Sequence, residues 1–275
     1  KNDFHLYPLS FCEVFELKKG RINKEELSAE KLYDEFKYYL QHGGYLTAIN
    51  DLAKNKTIGR STLMTYSDWI RGDMIKHGKQ EHYLREIIGA IIKRYGSQVT
   101  WNALSRDLSI DHPKTVADYV ELLASMDAAF IQAALLEDKL TAAPKKARKI
   151  MFTDPFIYHA MREWLNPTDD PYHQQIIPAV EDSAACGKIV EATVITHFRR
   201  HYPTYYIKAE GEVDIAYILD QKFWPIEIKW TNQIRAKDLK QINKYKNGKI
   251  LAKNSEVGMI NGVPTEFLLF ALMNL

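Results

Sequence analysis

Cysteine is scarce: Cys12 and Cys186 are the two in 275 residues, too few for a disulfide framework or a four-ligand zinc cage. No C-x-x-C pair occurs, and no apolar run approaches the roughly 20 residues that cross a membrane. Lys1 to Tyr7 carry no signal-peptide pattern. A soluble chain in a reducing, cytoplasmic setting, away from membranes, is the expectation. Excess charge is missing as well: 37 Lys and Arg against 35 Asp and Glu leave +2, so any electrostatic footprint must be local. The phosphate-binding pattern G-x-x-x-x-G-K-[ST] is absent. Gly43 and Gly44 lead to no Lys-Ser pair, and Gly248-Lys249-Ile250 lacks the upstream glycine and the hydroxyl. Ser183 has no G-x-S-x-G frame. His197 and His201 form the one H-x-x-x-H spacing, too few ligands for zinc, and read as an ordinary surface pair.

What is there suits a packed chain. A 46% hydrophobic and 12% aromatic composition excludes disorder and coiled coil, and the length favours two or three cores. The chain opens on Lys-Asn-Asp without Met, and Phe4 and Leu6 alternate like a strand that has lost what preceded it. Residues 1–78 then show helical spacing at Leu32, Phe36, Tyr39 and Leu40, a Gly43-Gly44 turn, and a second helix through Met64, Trp69, Ile70 and Met74.

Residues 79–153 read as a winged helix. Leu84, Ile87, Ile88, Ile91 and Ile92 form one apolar stripe, Thr100 caps a helix carrying Leu104 and Leu108, and a short turn leads into a helix from Lys114. A hairpin follows, from Ala128 to Phe152, with the basic run Lys145-Lys146-Ala147-Arg148-Lys149. DNA contact would use Lys114 and Thr115 on the second helix and Lys145, Lys146 and Arg148 on the wing. Asp111, Asp118 and Glu121 dilute that helix, so a spacer or protein-docking role is the alternative.

Residues 154–275 carry the chemistry. A helix through Gly187 to Phe198 precedes period-two stretches at Tyr205–Lys208, Glu212–Leu219 and Phe223–Trp230, which read as a three-stranded meander. Alternation puts Val213, Ile215 and Tyr217 on one side and Glu212 and Asp214 on the other. In the next strand it opposes Ile226, Ile228 and Trp230 to Glu227 and Lys229. Crowded carboxylates in a groove repel unless a cation compensates, and Mg2+ or Mn2+ on Asp214 and Glu227 would do so. Lys229 would then orient a water or meet developing negative charge, as phosphodiester hydrolysis requires. The alternative is a solvated face of weak cross-strand ion pairs.

Asp214, followed by Glu227-Ile228-Lys229 and preceded by a helix bearing Glu191, resembles the PD-(D/E)xK restriction-endonuclease-like fold, with Val213 where that family usually has Pro. The resemblance implies catalytic Glu191, Asp214, Glu227 and Lys229, with Glu191 a third metal ligand. Gln241 and Tyr245, on a helix after the third strand, are similar to the Q-x-x-x-Y element of RecB-like members. Lys249 onward and Thr265 to Leu272 would be closing strands. Seven Lys or Arg from Arg235 to Lys253 face a single acid, Asp238, which suggests phosphate contact at Lys237, Lys240 and Lys244, and the resemblance implies DNA contact at Gln241 and Tyr245 as well. An amphipathic helix with solvated lysines is the plainer alternative.

The wider order, Leu9-Ser-Phe-Cys-Glu13, Gly43-Gly44, Asp73, Phe152-Thr-Asp154-Pro155, Val190-Glu191 and Glu212-Val-Asp214, resembles the C-terminal two thirds of prokaryotic AAA+ ATPases bearing a C-terminal domain of unknown function. It implies a mixed α and β (α+β) chain: a remnant of the AAA+ module and its helical lid, a winged helix, and a nuclease-like domain with a central mixed sheet. ATP binding would belong to an N-terminal ATPase module, the chain's own partner. The competing expectation is a non-catalytic DNA- or protein-binding regulatory region with a degenerate nuclease fold.

Overall fold

The structure, a computed structural model, describes residues 7–20, 28–254 and 258–275. The strand expected at Phe4 and Leu6 lies outside the described residues. Helix α1 (Phe11–Lys19) opens on a reciprocal cap: the Ser10 hydroxyl accepts from the Glu13 N–H, and the Glu13 carboxylate accepts from the Ser10 N–H. Helix α2 (Ala29–His42) buries Leu32, Phe36, Tyr39 and Leu40 on one stripe. The single helix expected next is two, α3 (Leu46–Asn55) and α4 (Arg60–Lys76). Asp51 makes the break by accepting from the Gly59 N–H and the Thr62 hydroxyl, while Lys56 turns left-handed.

Helix α5 (Glu81–Lys93) carries the isoleucine stripe. Thr100 caps α6 (Trp101–Ser105), and α7 (Pro113–Ser125) starts on a proline, whose missing N–H costs nothing there. Strands β1 (Ala129–Ala133) and β4 (Arg148–Phe152) pair antiparallel, with the small ladder β2 (Leu135–Leu136) and β3 (Thr141–Ala142) at the tip. Helix α8 (Pro155–Leu165) leads through a π-helical turn into α9 (Ile177–Glu181) and the long α10 (Ser183–Arg199).

Strands β5 (Thr204–Lys208), β6 (Glu212–Leu219), β7 (Lys222–Lys229), β8 (Lys249–Ala252), β9 (Gly258–Ile260) and β10 (Val263–Phe267) form a six-stranded mixed sheet in the order β5-β6-β7-β8-β10-β9. Strands β7, β8 and β10 are parallel neighbours, and the other pairs are antiparallel. The fold class is therefore mixed α and β, a sheet flanked by helices. Two expectations need correction. The closing strand from Thr265 stops at Phe267 and becomes α11 (Leu268–Met273), because Leu268, Leu269, Leu272 and Met273 bury themselves at helical spacing. The helix expected around Gln241 is instead two 3-10 turns, Ala236–Leu239 and Ile242–Lys244, whose buried Leu239 and Ile242 stand three apart.

One apolar cluster runs from Phe11 to Met273 through the helices, the hairpin and the sheet face under α10. A smaller cluster, with Ile207, Val213, Ala216, Leu239, Ile242 and Ile250, covers the other face. The Gly43-Gly44 turn is locked where α2 meets α8. The buried Asp154 carboxylate accepts from the Gly44 N–H at 2.8 Å and the Phe156 N–H at 2.7 Å. A Cβ on Gly43 would lie 1.7 Å from that carboxylate, and one on Gly44 would lie 2.1 Å from the Leu9 carbonyl. Only glycine fits either place.

His197 is not at the surface, which corrects the sequence reading. It is 2% exposed, its Nε2 accepts from the Phe11 N–H at 2.9 Å, and its Nδ1 therefore donates to the Thr193 carbonyl at 2.7 Å. It joins the start of α1 to α10. Burial, aided by Arg200 and His201, lowers its pKa to about 3. Because the folded pKa lies below the unfolded one, the neutral ring's contribution is complete above about pH 6.5 and is lost as pH falls toward 3. His197→Gln should cost about 1–3 kcal/mol at pH 7. The gap to wild type should narrow below pH 6.5 by up to about 1.4 kcal/mol per pH unit, in denaturant melts at stepped pH.

Candidate functional site

The meander does not alternate as cleanly as the sequence suggests. The β5–β6 register shifts between Tyr205 and Ile207, so β6 carries an extra residue there. Val213 consequently packs in the smaller cluster with Ala216, whereas Ile215 packs in the larger one with Ile226 and Ile228. The expectation that Val213 and Ile215 share a side is corrected by this bulge. The ladder between β6 and β7 runs from Leu219–Lys222 to Ile215–Ile226. Past it, the Asp214 side chain takes over: its Oδ2 accepts from the Ile228 N–H at 2.8 Å. A carboxylate thus stands in for a ladder carbonyl, and it fixes Asp214 beside Glu227 and Lys229.

Around this point the chain gathers four acids and two lysines. Glu191 comes from α10, Glu212 and Asp214 from β6, and Glu227 and Lys229 from β7. Oxygens of Glu191, Glu212 and Asp214 lie within 4.8 Å of one another. Lys229 Nζ donates to Glu227 Oε1 at 2.5 Å, and the other Glu227 oxygen is buried without a hydrogen-bond partner among the described residues. The centre of the group is a residue that sequence reasoning missed. Lys149, on β4, is 1% exposed; its ammonium lies 2.7 Å from Glu191 Oε1 and 3.8 Å from Asp214 Oδ1, and it also pairs with Glu212.

The electrostatics follow from crowding. Burial and then Asp214 push the Glu227 pKa up to about 9, against the pull of Lys229. Burial likewise raises Glu191 to about 7, opposed by Lys149. Desolvation works against the Lys149 charge, but Glu191, Asp214 and Glu212 outweigh it and hold the pKa above the ordinary lysine value. Four carboxylates against two ammonium groups leave two negative charges uncompensated when all are ionised, which is the charge of one divalent ion. The donors, carboxylate oxygens on rigid elements, suit a hard cation such as Mg2+ or Mn2+. The acids whose oxygens converge are Glu191, Glu212 and Asp214; Glu227, expected as a ligand, lies beside them against Lys229.

The hairpin is bolted to the sheet at this place. Gln132, which pairs with Lys149 across the β1–β4 ladder, donates to the main-chain carbonyls of Tyr205 and Asp214 at 3.2 and 2.8 Å. Ala134 bridges to Tyr206, whose hydroxyl donates to the Ala147 carbonyl at 2.6 Å. Gln98 donates to Glu212, and Gly96 lies close over Glu191.

A basic rim lies at the β5–β6 turn, where Lys208 pairs with Glu212 across the ladder. Lys146 donates to the Lys208 carbonyl, Lys244 pairs with Glu210, and Lys145, Lys237 and Lys240 are exposed. The wing tip and the 3-10 turns thus meet at the β5–β6 turn. Three expected contacts differ. Gln241 is 5% exposed and braces the Gly211 N–H, because the turn holding it points inward. Tyr245 is half-buried, and its hydroxyl donates to Glu137. The half-buried Arg148 guanidinium lies over the Trp101 ring at 4.5 Å. Lys114 is exposed and Thr115 half-buried on the first turn of α7, with no hydrogen bond to the pocket or rim among the described residues.

Comparison with known families covers most of this architecture. Residues 33–168 match a domain of unknown function, DUF8612. Residues 186–261 match DUF4143. This second domain of unknown function is often found in the C-terminal region of AAA-ATPase-like proteins, and its match spans Glu191 and the β5–β8 strands. No curated protein and no solved structure matches the chain.

Crowding makes one outcome measurable. Because the folded Glu227 pKa lies far above the ordinary one, folding at pH 7 must take up a proton there; Glu227→Gln removes that cost and should stabilise the protein at pH 7 by about 1–3 kcal/mol in denaturant melts, a gain that fades as pH falls toward 4.5.

Proposed function

We propose that this chain works as the DNA-binding C-terminal region of an AAA+ ATPase and carries a nuclease-type pocket that hydrolyses phosphodiester bonds. The observation that carries the reading is the convergence of Glu191, Asp214 and the Glu227-x-Lys229 pair, from one helix and two adjacent strands, beside a basic rim. A divalent ion held by Asp214, Glu191 and Glu212 would supply Lewis acidity and an activated water. Lys229, held charged beside Glu227, is placed to orient that water or to meet charge developing on the phosphate oxygens. Lys145, Lys146, Lys237, Lys240 and Lys244 would neutralise backbone phosphates. The DUF4143 match supports the ATPase context, in which nucleotide binding belongs to the ATPase module.

A second reading has its own observation. Lys149 already supplies a cation to Glu191, Glu212 and Asp214, which favours a non-catalytic region that holds DNA or a protein partner without cutting.

Plasmid nicking with Mn2+ separates the two. The wild-type chain should nick, and Asp214→Ala should reduce the rate at least about 100-fold. Equal rates, or none from either protein, would remove the enzymatic reading. For the rim, Lys240→Glu with Lys244→Glu should weaken duplex binding in fluorescence anisotropy and flatten its salt dependence by about one logarithmic unit per lost phosphate contact. Unchanged slopes would move the DNA contact elsewhere.

A further inference from the structure

Lys149 is an unusual lysine. It is the second residue of β4, between Arg148 and Ile150, in a strand whose last four residues are buried. Its Nζ reaches the Glu191, Glu212 and Asp214 carboxylates and lies 5.7 Å from the Tyr206 ring. The strand cannot slide out of the way, since Gln132 opposite is held to the main chain of β5 and β6 and Ala147 is held by Tyr206. A magnesium-sized ion on the same oxygens would bond at about 2.0–2.1 Å. The ammonium, 2.7 Å from Glu191 Oε1 and 3.8 Å from Asp214 Oδ1, would face an ion on those oxygens at close range, charge against charge.

We infer that Lys149 is a tethered competitor of the divalent ion: this side chain, delivered by the hairpin, sets how tightly Glu191, Glu212 and Asp214 hold metal. The inference rests on the metal-binding reading of the pocket proposed above. Seating of the ammonium and full coordination of a divalent ion exclude one another, so the carboxylates exchange one cation for another and are never left bare. The lysine thereby tunes the pocket without touching substrate.

The test is Mn2+ binding, followed by electron paramagnetic resonance of free Mn2+ and by thermal melts, on wild type, Lys149→Met and Lys149→Arg. Lys149→Met should bind Mn2+ at least tenfold more tightly than wild type, whereas Lys149→Arg should stay near wild type. Without metal, Lys149→Met should melt several degrees lower, and Mn2+ should return most of that loss while moving the wild-type midpoint far less. If Lys149→Met does not fold, Lys149→Met with Glu212→Gln, compared with Glu212→Gln alone, restores the charge count and carries the same comparison. Measurable but equal affinity with and without Lys149 would overturn the competitor while leaving the metal site standing. No binding to any folded variant would overturn both.

Discussion

Burying carboxylates together is costly, and this chain spends its architecture on making the cost bearable. Each ionised acid taken from water loses solvation that only a nearby positive charge or a set of N–H donors can replace. Here the replacement comes from every direction: a lysine from the hairpin, a lysine two residues along β7, the Ile228 N–H and the Gln98 amide. Such a solution ties the parts to one another. The hairpin is held where it is because its lysine is needed there, and α10 lies along the sheet with Glu191 against that same lysine.

The helical layer solves a different problem, burial of polar side chains without charge. His197, His159 and His42 are all at most 2% exposed, and burial lowers the pKa of each, so the folded protein holds neutral rings. His159 contacts the Leu40 carbonyl, His42 contacts the Gly43 carbonyl, and His197 meets the first N–H of α1. His197 uses both ring nitrogens, as acceptor and donor, whereas His42 Nε2 and His159 Nδ1 are buried with no hydrogen-bond partner among the described residues. Together with Asp154 over the glycine turn, these rings fix how α1, α2, α8 and α10 stack.

Much of the sheet was legible because a period of two is a property of the backbone itself: Glu212, Asp214, Glu227 and Lys229 announce themselves by alternation and by their spacing. The bulge near Ile207 was not legible, since an extra residue in one strand is defined only against its partner. Lys149 was hidden for a related reason. In the string Lys145-Lys146-Ala147-Arg148-Lys149 it resembles its solvated neighbours, and its acids lie 42 residues or more away in the chain. The one local signal was its junction with Ile150-Met151-Phe152, a run too apolar for a strand with a wet face. Gln241 and Tyr245 misled in the other direction. Their spacing of four suits a helix, but the buried Leu239 and Ile242 stand three apart, and the tighter coil prevailed.

The sheet finishes differently at its two margins. On one side, β5 is shielded by the hairpin through the Ala134–Tyr206 bridge and the Gln132 amide. On the other, the described residues of β9 are Gly258–Ile260, with Met259 67% exposed at their middle. A foreign strand seeking main-chain partners would find the β5 margin shut. On that side, self-templated stacking into larger assemblies is discouraged by geometry, without any help from net charge.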